Sequence, residues 1–477
     1  MQKETLKGKH VVVLGLARQG MALARFLAQD GAEVTVSDLR DEAALAGPLS
    51  ELADLPIRYA LGQHPLSLLE QADLLCLSGG VPIDIPIVVE AQQRSIPLSN
   101  DAQIFLERCQ APVIGITGSA GKTTTTALVG EMCRAAGLRT WVGGNIGNPL
   151  ISDLDQIGVN DWVVMELSSF QLEVMAGQTS PHVAAVLNIT PNHLDRHKTM
   201  ESYIAAKRNI VAHQGAENFA LLGYDDANAR SLAIETAARL LWFSGGAEVE
   251  EGAFKTNGEL TLRMGSVFPR LGEGDRVICH ASEVRLRGRH NLLNVLAASV
   301  LAGVAGVPVE AMRQVATTFT GVEHRLELVR ELAGVHWYDD SIATAPERSL
   351  AALRSFEEPI VLLAGGRDKK LPWSEFAGEA VRRVRQLITF GEAGPMIAQV
   401  VKETREQEEW QKVGNGGREA RLEEVTRVGT LEEAVEAAAR LARSGDVVLL
   451  SPGGTSFDAF SDFAARGERF KELVQEL

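Results

Sequence analysis

The sequence predicts an α/β protein of three domains, because apolar, strand-like runs alternate with helical segments in three successive blocks. Each block restarts with a strand that leads into a glycine-bearing turn. The length of 477 residues also suits about three domains at ~150 residues each. We therefore expect domains at residues 1–100, 101–321 and 322–477.

The composition is ordinary for a globular protein, with an acidic balance. Hydrophobic residues make up 45% and charged residues 23% of the chain, and the formal net charge is −15. An acidic balance disfavours a general binder of nucleic acid or of anionic membranes. The longest apolar segment, residues 292–307, carries Asn294 and Ser299 and predicts a buried helix rather than a membrane span.

The cysteines and the N-terminal residues indicate the cytoplasm. Cysteine occurs at Cys76, Cys109, Cys133 and Cys279, without CxxC spacing. Scattered cysteines of this kind are typical of reduced, mostly buried thiols in a cytosolic protein. Residues 1–5 lead into a strand-like run without the features of a signal peptide. We expect a cytoplasmic monomer that is not inserted in a membrane.

The first block predicts a βαβ unit similar to a dinucleotide-binding fingerprint. A strand over residues 9–14 is followed by Gly15-Leu-Ala-Arg-Gln-Gly20, a helix over 21–29 and a strand over 33–37. Ala17 replaces the middle glycine of the fingerprint, and its methyl group limits the close approach of a pyrophosphate. The block therefore predicts a Rossmann-like domain, used either by an NAD-dependent oxidoreductase or for another ligand.

The second block carries a phosphate-binding loop. An apolar run, a glycine-rich turn and the start of a helix follow one another in Val113-Ile-Gly-Ile-Thr-Gly-Ser-Ala-Gly-Lys-Thr-Thr-Thr-Thr126. Glycines let backbone N–H groups surround a phosphate, while Lys122 reaches the terminal phosphates and the Thr123 hydroxyl can ligate Mg²⁺. Ile116 stands where a Walker A motif has glycine, so the match is to a shorter T-G-x-x-G-K-T form. The loop predicts a protein that binds a nucleoside triphosphate.

Two more polar groups follow strands of the same block. Glu166 comes directly after a strand predicted at 161–165, and His193 lies in the run after a strand predicted at 182–187. Since ligands of parallel sheets bind at the carboxyl ends of strands, we expect both groups beside the phosphate loop. They are suited to a second Mg²⁺ next to the ion held through Thr123. Taken singly, they would be read as a helix-capping carboxylate and a loop histidine.

Lys207 lies on the apolar stripe of a helix predicted over residues 200–212. It is three residues from Ile204 and four from Tyr203 and Val211. A buried lysine tends to lose its proton, and a neutral amine can react with CO₂ to form a carbamate, an oxygen ligand for Mg²⁺. The alternative is a lysine that extends from the edge of the stripe to water.

The remaining segments complete the α/β pattern. Residues 248–287 predict short antiparallel strands, and residues 291–305 predict a helix. In the third block, strands that alternate with helices imply a second parallel sheet. These strands are predicted at residues 335–338, 359–363, 386–390 and 447–450. Residues 402–424 are rich in Glu, Lys, Arg and Gly and predict a solvated excursion.

Motifs from all three blocks together resemble one family. In chain order they are Thr117-Gly-Ser-Ala-Gly-Lys-Thr-Thr, Gly143-Gly-Asn-Ile-Gly, Glu166-Leu-Ser-Ser-Phe-Gln-Leu-Glu, Asn192-His-Leu-Asp-Arg-His, Tyr203-Ile-Ala-Ala-Lys, Gly288-Arg-His-Asn-Leu-Leu-Asn, His324-Arg and Asp339-Asp-Ser-Ile-Ala-Thr. This order resembles the Mur ligase family of peptidoglycan synthesis, over the whole chain. The runs 166–173 and 450–470 are most similar to the member that adds D-glutamate to UDP-N-acetylmuramoyl-L-alanine.

The resemblance implies an ATP-driven amide ligase. ATP would phosphorylate the substrate carboxylate, and the incoming amine would displace phosphate from the acyl phosphate. Lys122 and two Mg²⁺ ions suit the charge that develops in both steps. The implied architecture is a Rossmann-like N-terminal domain, a central P-loop domain and a Rossmann-like C-terminal domain that binds the amino acid and part of ATP.

The resemblance also implies roles for individual residues. The catalytic residues are Lys122, His193 and Lys207. The metal ligands are Thr123 and Glu166 for one Mg²⁺, and His193 with carbamylated Lys207 for the other. The ATP-binding residues are Gly118, Ser119, Ala120, Gly121, Lys122, Thr123, Thr124, Asn294, Arg325 and, near the ribose, Asp340. The residues for the UDP-linked substrate are Gly15, Leu16, Ala17, Arg18, Gln19, Asp38, Arg40, Ser78, Gly79, Gly80, Asn145, Ser168 and Ser169. The amino-acid-binding residues are Thr344, Lys369, Ser456, Phe457 and Phe463.

One departure from the family pattern bears on the amino acid. The family usually has Asp-Ser-Lys-Ala-Thr where this chain has Ile342 in place of the lysine. Either Arg348 or Lys370 replaces the lost positive charge, or the preferred amino acid differs. The sequence alone leaves four alternatives: the D-glutamate ligase, a related ligase with another amino acid or enantiomer, an NAD-dependent oxidoreductase that uses the first domain, and a non-catalytic nucleotide-binding regulator. Ala17 and the phosphate loop argue against the oxidoreductase.

Overall fold

A computed structural model describes residues 6–175, 179–265, 274–369, 371–415 and 421–477. The chain divides into two compact units. The first comprises Met1–Arg285 and Arg289–Phe319, and the second comprises Leu286–Gly288 and Thr320–Leu477. The described residues form two sheets in the first unit and one in the second, so the predicted α/β class is confirmed.

The N-terminal sheet is parallel and has helices on its sides. Its strands are β1 (His10–Leu14), β2 (Glu33–Asp38), β3 (Ile57–Leu61), β4 (Leu74–Leu77) and β5 (Leu98–Ser99). Its helices are α1 (Arg18–Gln29), α2 (Ala46–Glu51) and α3 (Pro86–Gln93). Among the described residues, the five strands lie in the order β3-β2-β1-β4-β5. Since the order reverses beside β1, the turn after β1 opens into the crevice where such sheets bind ligands.

The central sheet is mainly parallel and ends in antiparallel strands. Its strands are β6 (Val113–Thr117), β7 (Thr140–Gly144), β8 (Trp162–Glu166), β9 (Val183–Val186), β10 (Phe219–Gly223), β11 (Arg239–Ser244), β12 (Gly252–Thr256), β13 (Glu259–Arg263) and β14 (Asp275–His280). Over the part of the chain described, the order is β14-β13-β12-β11-β10-β9-β6-β8-β7. β6 therefore lies between β8 and β9, and the segments that follow these three strands meet at one edge.

Helices cover both faces of the central sheet. They are α4 (Asp101–Arg108), α5 (Lys122–Ala135), α6 (Ser169–Val174), α7 (Leu194–His197), α8 (Met200–Arg208), α9 (Ala227–Ser231), α10 (Arg289–Val304) and α11 (Val309–Thr318). All five residues of β6 are buried, as expected for a parallel strand covered on both faces. Each such Val or Ile side chain contributes about 1.5–3 kcal/mol through removal from water. The start of α5 is thereby attached to a fully buried strand.

The third sheet has one antiparallel edge strand. Its strands are β15 (Glu327–Leu332), β16 (Val335–Asp339), β17 (Ile360–Gly365), β18 (Val384–Phe390), β19 (Glu424–Arg427) and β20 (Val447–Gly453). Its helices are α12 (Pro346–Leu353), α13 (Ser374–Arg383), α14 (Gly394–Asn415), α15 (Leu431–Leu441) and α16 (Phe463–Glu476). Within the described ranges the order is β15-β16-β20-β17-β18-β19, and β15 pairs antiparallel with β16. The carboxyl ends of β16, β20 and β17 are therefore neighbours.

Several predicted boundaries were wrong. The helix predicted over 200–212 ends at Arg208, although Lys207 remains within it. Residues 402–415, predicted as a solvated excursion, continue helix α14, and residues 416–420 lie outside the described residues. Glu166 is the last residue of β8 rather than the first residue after it. Charged residues do not interrupt a helix when its backbone hydrogen bonds are intact, so composition alone misassigned α14.

The buried helix and the antiparallel strands were correctly predicted. Residues 289–304 form α10, and its central positions are buried. β12, β13 and β14 pair antiparallel, while residues 266–273 of the same prediction lie outside the described residues. The cysteines are free thiols, and burial raises the pKa of Cys133 to about 12. Within the described ranges, no helix combines the length and apolar character needed to cross a bilayer.

Asp101 is a buried carboxyl at the first position of α4. Its Oδ1 accepts a hydrogen bond from Gln171 Nε2 at 3.4 Å. Burial raises the pKa of Asp101 to about 6, although the hydrogen bond from Gln171 opposes the shift. The folded protein therefore binds this proton more tightly than the unfolded chain, for which the pKa is 3.8. Stability is accordingly lost as the pH rises from about 4 through about 6.

We predict that Asp101→Asn stabilises the protein at pH 8. The amide does not ionise, so the variant should exceed the parent in free energy of unfolding by about 1–3 kcal/mol at pH 8 and by less at pH 5. Denaturant unfolding at both pH values measures this difference, with the exposed Asp155→Asn as control. A difference that does not change with pH would contradict the prediction.

Candidate active site

The phosphate loop lies between β6 and α5 and is held by Asn188, which follows β9. The backbone N–H of Ser119 donates to the carbonyl oxygen of Asn188 at 2.9 Å, and that of Ala120 donates to Asn188 Oδ1 at 2.9 Å. Asn188 Nδ2 returns a hydrogen bond to the carbonyl oxygen of Ala120 at 3.1 Å. Lys122 folds back so that its Nζ lies 2.9 Å from the carbonyl oxygen of Gly118. The loop is thus preformed, with a cation against it.

Helix α10 contacts the loop at Gly121. Gly121 caps α5 with a φ of 85°, a conformation that favours glycine. A Cβ at this position would lie 2.3 Å from Asn294 Oδ1. Thr125 Oγ1 also donates to that oxygen, at 3.4 Å. Asn294, expected to bind ATP, therefore lies directly against the phosphate loop.

Glu166 presents a carboxylate oxygen suited to a ligand. It ends β8 opposite Ile116 of β6 and is 2% exposed. Asn145 Nδ2 donates to its Oε1 at 2.7 Å, whereas Oε2 is buried and has no hydrogen-bond partner among the described residues. A buried carboxylate oxygen left in this state is costly unless a cation or a donor binds it. The position fits a Mg²⁺ ligand.

Lys207 is buried beneath the phosphate loop, as the apolar stripe predicts. It is 1% exposed, and its Nζ lies 3.2 Å from Thr117 Oγ1 and 3.0 Å from the carbonyl oxygen of Gly118. Burial, and next the charge of Lys122, lower the pKa of Lys207 well below its usual range, while Glu166 opposes the shift. The alternative of a lysine that extends to water is wrong for this position.

A row of aromatic rings joins His193 to Lys207. His193 is exposed, at the left-handed N-cap of α7, and its ring centroid lies 5.0 Å from that of Phe170. Phe170 stacks on His197 at 5.5 Å, and His197 lies 5.1 Å from Tyr203. Lys207 Nζ lies 4.8 Å from the centroid of the Tyr203 ring. His193 is thus at the exposed end of this row and Lys207 at its buried end.

The remaining central residues are fixed by local hydrogen bonds. Ser168 caps α6 in a capping box with Gln171, which the Ser-Ser-Phe-Gln sequence provides. Ser169 Oγ lies 3.0 Å from His197 Nε2. Asn145, expected at the muramoyl part of the substrate, here orients Glu166.

The predicted UDP site gathers at the carboxyl end of β1. The backbone N–H of Leu16 donates to Asp38 Oδ2 at 2.7 Å, and Arg40 Nη2 donates to the same oxygen at 2.8 Å. Although burial raises the pKa of Asp38, hydrogen bonds from Arg40 and Leu16 hold it well below its usual range. A Cβ at Gly20 would lie 1.9 Å from the carbonyl oxygen of Gly15, so glycine lets α1 pack directly on this turn.

The side-chain amide of Gln19 is a further hydrogen-bond donor in this region. Its Nε2 is buried and has no hydrogen-bond partner among the described residues. Its Oε1 lies 2.9 Å from where a Cβ of Gly79 would stand, in the turn that follows β4. The turn after β1 and the turn after β4 therefore lie next to each other, as expected if residues 15–19 and 78–80 share one site.

In the third sheet the structure brings together Thr344 and Lys369. Lys369 Nζ lies 3.4 Å from Thr344 Oγ1. Burial and next the charge of Arg348 lower the pKa of Lys369. Arg348 Nη1 donates to the carbonyl oxygen of Ile342 at 3.3 Å, so its cation lies at the atypical position of the motif. Lys370 lies outside the described residues.

Other predicted residues of this sheet differ in accessibility. Burial raises the pKa of Asp340 to about 7, and Ser451 Oγ donates to its carboxylate at 2.7 Å. Ser456 is buried, whereas Phe457 is 61% exposed. The ring of Phe463 lies 6.1 Å from that of His324, which precedes Arg325 in the chain.

His324, Glu327 and Asp339 form a cluster with the composition of a metal site, because one ligand atom of each lies within 4.8 Å of the others. The existing contacts favour an ion-paired network instead. Asp339 Oδ2 lies 2.7 Å from His324 Nδ1, and Lys471 Nζ lies 3.2 Å from Glu327 Oε1. Although burial opposes it, the hydrogen bond with Asp339 raises the pKa of His324. Lysine and histidine therefore supply the positive charge that a metal ion would bring.

Comparisons with known proteins agree with this geometry. Residues 9–100 match the Mur ligase MurD-like N-terminal domain, residues 116–302 the Mur ligase middle domain, and residues 324–454 the Mur ligase glutamate ligase domain. A curated UDP-N-acetylmuramoylalanine--D-glutamate ligase from Acetivibrio thermocellus is 40% identical over 475 residues, which cover 100% of this chain and 98% of that protein. The chain belongs to the Mur ligase family.

A second relative supports the assignment, and solved structures show the same fold. The ligase of the same name from Symbiobacterium thermophilum is 41% identical over 471 residues, or 98% of each chain. The crystal structure of MurF from Acinetobacter baumannii has a TM-score of 0.56 at 16% identity and covers 97% of this chain and 93% of its own. UDP-N-acetylmuramate-alanine ligase MurC from Thermotoga maritima has a TM-score of 0.54 at 20% identity, covering 98% and 99%. These structures confirm the three-domain α/β fold of a Mur ligase.

Sequence reasoning did not assign roles to several residues of this Mur ligase that hold the sites in place. Asn188 fixes the phosphate loop, and Tyr203 OH lies 3.0 Å from Ser119 Oγ. Arg466 is fully buried beside the loop that carries Ser341. Asn188 directly follows the end of a predicted strand, and this position could have identified it as a site residue from the sequence. Arg466 lies three residues from Phe463 and four from Phe470 on the apolar stripe of α16, and this spacing was its available signal.

We predict that Gly121→Ala weakens ATP binding at least about tenfold. The methyl group would meet Asn294 Oδ1, and a φ of 85° costs a residue with a side chain ~1–2 kcal/mol. Titration calorimetry with ATP and Mg²⁺ measures the loss.

Gly137→Ala is a matched control for Gly121→Ala. Gly137 follows α5 with a φ of 76°, and no described atom lies within 4 Å of its Cβ position. It carries similar backbone strain without the clash, so its ATP affinity should equal that of the parent. Equal losses in the two variants would show that helix strain, and not the contact with Asn294, weakens binding.

Proposed function

We propose that this Mur ligase joins D-glutamate to UDP-N-acetylmuramoyl-L-alanine with conversion of ATP to ADP and phosphate, a step of peptidoglycan precursor synthesis. One observation carries the proposal: a phosphate loop against a buried, deprotonation-prone Lys207, in a chain 40% identical over its full length to a curated ligase of this name. We propose a cytoplasmic site of action, where nucleotide-linked precursors are made.

The proposed reaction has two steps, transfer of a phosphoryl group and then transfer of an acyl group. A carboxylate oxygen of the UDP-linked substrate attacks the γ-phosphorus of ATP, and ADP leaves. The amine of D-glutamate then attacks the acyl carbon, and inorganic phosphate leaves as the amide forms and the amine loses a proton. Lys122 and the N–H groups at the start of α5 would neutralise the transferring phosphoryl group. Asn188 would keep those N–H groups aligned through its hydrogen bonds to the loop.

The donor set beside the loop fits Mg²⁺. Hydroxyl and carboxylate oxygens are the ligands that this ion prefers, and Glu166 Oε2 is a buried oxygen without a partner among the described residues. We propose Thr123 and Glu166 as ligands of one ion and His193 with modified Lys207 as ligands of a second. The bound ions would supply positive charge to the phosphoryl oxygens. Asn145 would hold the Glu166 carboxylate in one orientation through the contact with Oε1.

Lys207 is suited to carry a carbamate. A neutral amine reacts with CO₂ to give a carbamate and one proton, so a pKa below the usual range favours the reaction. The product is an anion in place of a second cation beside Lys122. It retains one N–H, which can keep the hydrogen bond to the carbonyl oxygen of Gly118. We propose that this modification converts the neutral amine of Lys207 into an anionic oxygen ligand.

The other predicted residues divide among the three substrates. We propose that the turns at 15–19 and 78–80, with Asp38 and Arg40, bind the uridine diphosphate. Asn145, Ser168 and Ser169 would face the muramoyl part. For the nucleotide, Asn294, Arg325 and Asp340 are proposed, and for D-glutamate Thr344, Lys369, Ser456, Phe457 and Phe463. Domain boundaries at 100/101 and 321/322 are proposed on the same basis.

Arg348 is proposed to replace the cation missing at Ile342. It lies within hydrogen-bonding distance of the carbonyl oxygen of Ile342, and its charge acts on Lys369. Two cations beside Thr344 suit an amino acid with two carboxylates, because each carboxylate then has a charged partner. This arrangement favours D-glutamate over a monocarboxylic amino acid at the same site.

The first experiment measures phosphate release with ATP, Mg²⁺ and UDP-N-acetylmuramoyl-L-alanine. We expect release that depends on D-glutamate and is at least about tenfold slower with L-glutamate or D-alanine, because each lacks one productive carboxylate contact. Release with a different amino acid would make Ile342 a change of specificity. Binding of ATP without release under any condition would favour the non-catalytic nucleotide-binding regulator.

We predict that Lys207→Ala abolishes turnover and removes one carbamate. With ¹³C-bicarbonate, the parent should show a carbamate resonance in the NMR spectrum that is absent from Lys207→Ala and present in the exposed control Lys198→Ala. A short-chain carboxylic acid should partly restore turnover, because it supplies the missing oxygen ligands. A parent without the resonance, or a fully active Lys207→Ala, would contradict the modification and leave the ligase activity itself untouched.

A further inference from the structure

Arg466, on α16, is a fully buried cation with neutral hydrogen-bond acceptors. Its exposed fraction is 0%. Nε donates to Ser341 Oγ at 2.9 Å, Nη2 donates to the carbonyl oxygen of Ser341 at 2.9 Å, and Nη1 donates to the carbonyl oxygen of Gly454 at 3.2 Å. Burial lowers the pKa of Arg466 to about 10, although the charges of Asp458 and Asp339 oppose the shift. Burying a guanidinium in this way is expensive, so an apolar side chain would be the cheaper way to fill the space.

The guanidinium lies where the loops after three neighbouring strands meet. Ser341 belongs to the loop after β16, and Gly454 to the loop after β20. Gly366 belongs to the loop after β17, and a Cβ there would lie 2.9 Å from Nη1 of Arg466. Since β16, β20 and β17 are adjacent, one planar group donates to two of the loops and lies beside the third.

The same loops carry the amino-acid site. Thr344 follows Ser341 in the first loop, Lys369 follows Gly366 in the second, and Ser456 follows Gly454 in the third. Backbone hydrogen bonds also tie the loops in pairs: the N–H of Gly453 donates to Ala343 and the N–H of Arg367 donates to Thr455, each at 2.8 Å. These bonds join two loops at a time, whereas Arg466 borders all three.

We propose that Arg466 is a positioning residue that holds the three loops in register and thereby sets the affinity for the incoming amino acid. The proposal rests on the function proposed above. A guanidinium suits this positioning role, because its N–H groups lie in one rigid plane and can donate to several fixed acceptors at once. A lysine can reach one of these acceptors at a time. Ser341 extends the contact, since its Oγ donates to the carbonyl oxygen of Phe463 at 2.8 Å at the start of α16.

The test is a comparison of Michaelis constants in Arg466→Lys and Arg466→Met. We expect the KM for D-glutamate to rise at least about tenfold in both variants, while the KM for ATP and for the UDP-linked substrate changes less than about twofold. Arg469→Lys is the matched control, because Arg469 lies one turn further along α16 and pairs with Glu432 and Glu472 at the surface. It should leave all three constants at parent values.

Ser341→Ala provides a variant that keeps Arg466 in place. It removes the acceptor of Nε and leaves the two carbonyl contacts, so the KM for D-glutamate should rise by a smaller factor of about two to five. Because one contact is shared between Ser341 Oγ and Arg466 Nε, the rise in KM for Ser341→Ala combined with Arg466→Lys should be smaller than the product of the two single rises. Thermal unfolding of every variant separates loss of folding from loss of binding.

The outcomes distinguish the two proposals. If the parent releases no phosphate with D-glutamate, the function is wrong. If the parent is active and the folded Arg466 variants keep the parent KM for D-glutamate, Arg466 is not a positioning residue. Equal rises in the KM for all substrates would equally overturn the proposal, because they would show a general loss of structure rather than a displaced amino-acid site.

Discussion

The central site depends on one constraint, the position of β6 between β8 and β9. This order brings the phosphate loop, Glu166 and the segment of Asn188 to a single edge, although they are far apart in the chain. Lys207 then reaches the same loop from α8 and donates to Gly118, the carbonyl group that Lys122 also contacts. Two lysines on one carbonyl oxygen are stable when one is neutral, which the burial of Lys207 favours.

The sequence predicted the strands that are buried on both faces better than the helices. β6 and β17 are continuous apolar runs, so their places are clear from the sequence alone. The end of α8 and the length of α14 were misjudged, because a charged helix and a charged loop have similar composition. β15 was not predicted, since an exposed edge strand that pairs with β16 lacks a regular apolar pattern.

The candidate site could be predicted as far as chemistry is tied to local sequence. The phosphate loop, Glu166 and the burial of Lys207 follow from residue type and spacing, and the structure places all three together. The supporting contacts could not be found in this way. The side-chain amide of Asn188, which follows β9, binds the loop that follows β6. Arg466 donates to Ser341, which lies 125 residues away in the chain. Such contacts depend on strand order, which a single sequence does not specify.

The central sheet and the third sheet carry different electrostatic arrangements. The central domain holds cations beside a loop that receives phosphate, and Glu166 and a modified Lys207 would reverse the sign locally so that metal ions bind. The third sheet instead places Lys369 and Arg348 where a dicarboxylate is expected. Because these like charges repel each other, the dianionic ligand proposed for this position would lower their repulsion. Arg466 is a third positive charge of this sheet, and it donates to three neutral acceptors, two of which are backbone carbonyl oxygens. In the proposed site, binding strength at Thr344 and Lys369 would thus depend on charge, whereas their spacing would depend on the buried guanidinium of Arg466.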